Sequence, residues 1–167
     1  MTSEFVTRAN EITSGVAYPP VPIYAIAQDF GVEVRKEALS KATAAVIIVS
    51  SDHCVVGIDQ DLNPRRSRCV VAQSVGYMCL GCGDHQVIIG REAFSASIAV
   101  SDGELLRRDT RRFMMELLMP KNLLAPVLRK GVDIQDEATI HRMSRRWEVP
   151  DLMMAVRLNQ LTDGYLM

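Results

Sequence analysis

The 167 residues predict an α+β fold, a small antiparallel sheet packed on helices with a helical module at the C-terminal end. Three observations carry that expectation. An alternating segment at 32–35 and two apolar stretches at 44–49 and 54–58 have strand length. Two longer segments, 65–80 and 104–119, repeat apolar residues at helical spacing. Residues 136–146 and 151–161 read as two further helices around Trp147-Glu148-Val149-Pro150, in the outline of a helix-turn-helix.

Each element has a local reason. Residues 4–14 suit a short helix ended by Gly15, and Tyr18-Pro19-Pro20-Val21-Pro22 then forces extended chain, because each proline disfavours helix in the residue before it. Apolar residues at helical spacing follow in 23–30 and stop at Gly31, a residue suited to the position after a helix. Val32-Glu33-Val34-Arg35 alternates as a half-buried strand does. The next two apolar runs are joined by the polar Ser50-Ser51-Asp52-His53, which predicts a hairpin. Asn63-Pro64 opens the 65–80 helix, with Val71, Val75 and Met78 on one stripe, and Gly81-Cys82-Gly83 closes it. In 104–119 the stripe is Phe113, Met114, Leu117 and Leu118, and Pro120 stops the helix.

At 48% hydrophobic the chain has the means to bury a sizeable core, which excludes a disordered protein. The net charge of -1 conceals an asymmetry: residues 1–106 carry 8 basic and 12 acidic side chains, and residues 107–157 carry 11 and 7. That basic surplus is too modest to predict nucleic-acid binding. The segment 151–158 opens with Asp151 and has one Arg, poor equipment for reading bases or phosphates. Arg107-Arg108, Arg111-Arg112 and Arg145-Arg146 read first as solvated helix faces. Met114, Met115, Met119, Met153 and Met154 read as core filler, with an adaptable groove for a peptide or helix as the lesser alternative. Met1-Thr2-Ser3-Glu4-Phe5 does not open a signal peptide and no long uncharged apolar run follows, so a cytoplasmic protein with no membrane partner is expected.

The 65–80 helix holds the functional clue. A zinc-peptidase helix reads His-Glu-x-x-His, two imidazoles one turn apart on one face and a glutamate that activates the metal-bound water. The three places hold Gln73, Ser74 and Tyr77. Gln is a poor zinc ligand, Ser has no carboxylate, and a Tyr phenol ionises only near pH ~10, so metal capture and water activation both lack a provider. Cys79-Leu80-Gly81-Cys82-Gly83-Asp84-His85 is a separate matter: two thiolates and an imidazole at that spacing can share a zinc, with Cys69 or His53 as a fourth ligand. A second ligand pair at a recognisable spacing is missing, so the four cysteines are expected as reduced thiols and no cofactor is expected, a structural zinc staying open as the lesser reading.

In this order the segments resemble the ImmA/IrrE family of metallopeptidases. The points of likeness are Val21-Pro22-Ile23, the run 25–34, the strand pair, the helix 68–80, Phe113-Met114-Met115-Glu116-Leu117-Leu118-Met119-Pro120 and the C-terminal helical pair. The family's active helix commonly reads Arg-Phe-Thr-x-Ala-His-Glu-Leu-Gly-His, of which Arg68, Ala72 and Gly76 are kept here. The family's third zinc ligand, a carboxylate, falls on Asp109, whose expected role here is a hydrogen bond from Tyr77 or a pair with Arg108 or Arg112. The resemblance implies a zincin-like domain over 1–130 and a helical module over 131–167. It also implies a degenerate member, a pseudopeptidase without catalytic residues or metal, that regulates by binding a protein. A helix-turn-helix transcriptional repressor or an active relative is the expected partner, in a mobile-element or stress circuit. Gln73, Ser74, Tyr77 and Asp109, with Arg108 and Arg112 at the rim, are the candidate contacts. The alternatives are a zinc peptidase with unusual ligands and a DNA-binding regulator that uses the basic C-terminal helices.

Overall fold

The computed structural model describes residues 2–81, 83–94 and 104–163. Its elements in chain order are α1 (Thr2–Ile12), α2 (Ile23–Asp29), β1 (Val32–Glu37), β2 (Thr43–Val49), β3 (Cys54–Asp59), α3 (Pro64–Cys79), β4 (His85–Gly90), a 3-10 turn (Arg91–Phe94), α4 (Glu104–Leu118), α5 (Lys121–Leu128), α6 (Glu137–Trp147) and α7 (Asp151–Asp163). The chain forms two compact units, one of Pro22–Met114 and the other of Met1–Val21 with Met115–Met167. Among the described residues no helix is long and apolar enough to cross a membrane.

In the Pro22–Met114 unit the four strands lie in the order β1-β3-β2-β4. The α+β class stands, but the sheet is mixed where a wholly antiparallel one was expected: β2 is antiparallel to β3 and β4, while β1 runs parallel to β3, Val32 opposite Cys54. The side chains account for the strand order, while the direction of β1 is set by long-range pairing. β3 is enclosed along its length and takes a central place, whereas Glu33, Arg35, Lys36 and Glu37 of β1 stay wet only at an edge. The connection from β1 to β2 is fixed by Asp59, which accepts the Asp61 N–H at 2.9 Å, the Leu39 N–H at 3.1 Å and Arg91 Nη2 at 2.6 Å. These donors, the Asp61 amide first, hold its carboxyl below the usual carboxylate range. Gly31 has φ +72°, a conformation open to glycine, and its carbonyl accepts the Cys54 N–H where β3 begins.

Ala45, Ile47, Val49, Val56, Ile58, Val87 and Ile89 are buried, and α3 packs against β1, β2 and β3. Ile48 and Ile88 stay exposed on the other face. β4 was not foreseen, since Val87-Ile88-Ile89 is too short a run to announce a strand by itself.

The second unit is helical. α6 is capped by Asp136, whose carboxylate accepts Thr139 N–H at 3.0 Å and Thr139 Oγ1 at 2.6 Å. It ends at Glu148 in the left-handed region, φ 53°, and the expected turn leads through Pro150 into α7. Ser144 Oγ donates to His141 O and to Asp151, and His141 Nδ1 lies 2.8 Å from the same carboxylate, so the turn is tied on both sides. Trp147, Met119, Leu124, Met154 and Leu158 form the core of this unit. Glu116 and Arg157 are buried there as an ion pair. α5 was also unforeseen, because Pro126 inside it argues against a helix.

Candidate functional site

The site is built on α3 and on the first part of α4. α3 starts cleanly because Pro64 needs no amide partner at a helix start and the Asn63 side chain accepts the Arg65 N–H at 2.9 Å. Most of the helix from Ser67 to Tyr77 is buried, and Gln73 is half-buried within it. A side chain at Gly76 would meet α4: a Cβ there would lie 3.2 Å from Phe113 Cδ1 and 3.5 Å from Thr110 Cβ. The missing side chain is what lets the two helices approach so closely.

Ser74 is wholly buried and its hydroxyl donates to Val70 O, 2.9 Å away on the preceding turn. It is committed to its own helix. Tyr77 is also wholly buried, with its phenolic oxygen sealed from solvent, and its ring centroid lies 6.3 Å from that of His85 at an interplanar angle of 31°. Asp109 is half-buried, with Oδ1 4.0 Å from Arg108 Nε, so of the two expected arginine neighbours Arg108 is the one at ion-pair range. Arg108 and Arg112 are exposed. The sequence-predicted residues therefore divide: Ser74 and Tyr77 face inward, Gln73 and Asp109 lie partly open, and Arg108 and Arg112 meet solvent.

This donor set does not fit a peptidase zinc. Ser74 supplies no carboxylate and its hydroxyl is occupied, and a neutral phenol and an amide stand where the imidazoles would be. Among the described residues no three His, Cys, Asp or Glu side chains come together as a metal cluster. The cysteine reading meets a similar geometry. Cys69 donates its thiol to Arg65 O at 3.2 Å, and burial pushes that thiol up to about 12. Burial likewise raises Cys54, to about 11. His53 lies 3.9 Å from Glu33 in the β2–β3 turn, Cys79 is half-buried and His85 is exposed beside Tyr77; Cys82 lies outside the described residues. Arg107, expected on a basic helix face, also has a side chain outside them.

Arg111, read from the sequence as part of a solvated helix face and not as a candidate contact, is exposed on α4 at i+3 from Arg108, a spacing that the sequence already displayed.

A family model described as the IrrE N-terminal-like domain, a peptidase family, matches residues 27–159. No curated protein matches the chain.

Proposed function

The chain belongs to the IrrE N-terminal-like peptidase family, and from that premise we propose that it is a non-catalytic member, a regulatory pseudopeptidase that binds a protein partner and does not cut it. The observation that carries this reading is the state of Tyr77. Where an active zincin helix presents its second imidazole, this chain has a wholly buried phenol, one turn from the half-buried Gln73 and next to a Ser74 whose hydroxyl is bound to its own helix. A general base and two strong metal ligands are absent from the positions where hydrolysis needs them.

The partner is a cytoplasmic helix-turn-helix repressor or an active relative, recognised through what is still accessible around α3 and α4: Gln73, Asp109, Arg108 and Arg112. Ser74 and Tyr77 shape that surface from below. A binder without turnover controls its partner by occupancy, in proportion to its concentration over the dissociation constant. Elemental analysis of the purified protein tests the reading. The expected result is zinc far below one atom per chain, and stoichiometric zinc lost on Gln73→Ala or Tyr77→Phe would overturn it.

A further inference from the structure

α4 presents two opposite faces along residues 108–112. At 3.6 residues per turn, Thr110 and Phe113, which adjoin Gly76, share one side, and Arg108, Arg111 and Arg112 at i, i+3 and i+4 share the other. All three arginines are exposed, Arg108 by 72% of its side chain. Among the described residues Arg108 has Asp109 as its acidic neighbour, 4.0 Å away, and Arg111 and Arg112 form no ion pair. Three like charges within one turn destabilise a helix unless anions come to them.

The size of the patch selects the anion. From Arg108 to Arg112 the helix rises about 6 Å, room for two or three anionic groups and far short of the roughly 6–10 phosphate contacts of a duplex-binding surface. Guanidinium groups take carboxylates in a two-pronged fork. A helix with Glu or Asp at i, i+3 and i+4 repeats the spacing of the three arginines.

We propose that Arg108, Arg111 and Arg112 dock an acidic helical segment of a partner protein. This rests on the reading of the chain as a binding protein, and it makes the outward face of α4 the contact surface rather than the filled space around Tyr77.

The test is fluorescence anisotropy with a labelled alanine-based helical peptide that carries Glu at i, i+3, i+4 and i+7. Native protein binds it, salt weakens the binding, and replacing the three arginines together by Ser weakens it by about tenfold or more. Replacement by Lys keeps the charge, loses the fork and gives an intermediate affinity. Arg145→Ser with Arg146→Ser leaves the affinity unchanged. Circular dichroism establishes that each variant is folded. Equal binding by the native protein and the Ser variant overturns the proposal, as does binding no tighter than that of the corresponding Lys peptide, or a preference for a DNA duplex over the Glu peptide. Failure of the non-catalytic reading would appear elsewhere, as stoichiometric zinc in the purified protein whatever its peptide affinity.

Discussion

Arg157 holds both carboxylate oxygens of Glu116, at 2.7 and 2.5 Å, and donates from Nε to Met119 O at 3.1 Å. Both side chains are buried, so the pair joins α7 to the end of α4 in a place where neither charge is solvated alone. Removing one partner leaves the other stranded. Glu116→Gln and Arg157→Met are each expected to lower unfolding stability by about 3–5 kcal/mol, and the double variant by less than their sum. Urea titrations of the four proteins check this.

Gly76 is the contact point of α3 with α4, and its substitutions separate two effects. Ala gains up to about 1 kcal/mol of helix propensity but presses on a buried Phe113 from 3.2 Å, so Gly76→Ala is expected to change stability little. Gly76→Val adds bulk with no such compensation and should cost about 1–3 kcal/mol. Thermal melts that leave the Ala variant close to the native protein and place the Val variant below both bear out the close approach.

Restoring the peptidase set through Gln73→His, Ser74→Glu and Tyr77→His, with Asp109→Glu if needed, places two imidazoles and a carboxylate on one face of α3 and the third ligand on α4. The expected protein is weakened without metal, since a buried aromatic is lost and a glutamate enters the fully buried place of Ser74. Added zinc should raise its Tm by binding the folded state. A redesigned chain that folds and takes up no zinc would show that α3 and α4 do not hold zincin geometry.

Burial raises Cys54 to about 11 and Cys69 to about 12, from an ordinary thiol value of 9.0. Both thiols then remain protonated in the folded state while those of the unfolded chain ionise, so their contribution to stability is present below pH ~9 and declines as the pH rises toward the two folded values. Chemical denaturation between pH 8 and pH ~11 is expected to show that decline, and Cys54→Ala with Cys69→Ala to flatten it. At pH ~8 a thiol reagent should modify Cys79 before either buried cysteine, a sequence that mass spectrometry can map.

Residues with a local cause were legible in advance. The α3 helix has its Asn63-Pro64 start, the β2–β3 hairpin its polar turn, and α6 and α7 their dividing Pro150, so each is written in a few adjacent side chains. β4 depends on β2 as a template, with Val87 placed opposite Ile47, and no neighbour in sequence announces it. α5 contains a proline that local rules count against a helix. The parallel alignment of β1 with β3 is a choice among long-range pairings, which periodicity does not encode. At the site, the replaced zinc motif could be read from spacing, but spacing carries no burial, and that is why Ser74 and Tyr77 were grouped with the exposed Arg108 and Arg112 as equal contacts.

The parallel pairing of β1 with β3 also bears on the order in which the sheet assembles. Val32 waits for Cys54, whereas β2 and β3 meet through a turn of four residues and close on the microsecond scale of hairpins. During synthesis β1 leaves the ribosome first and has no edge to join until β3 has followed it. Its Glu33, Arg35, Lys36 and Glu37 keep that early strand hydrated while it waits, and they guard it against pairing with other nascent chains.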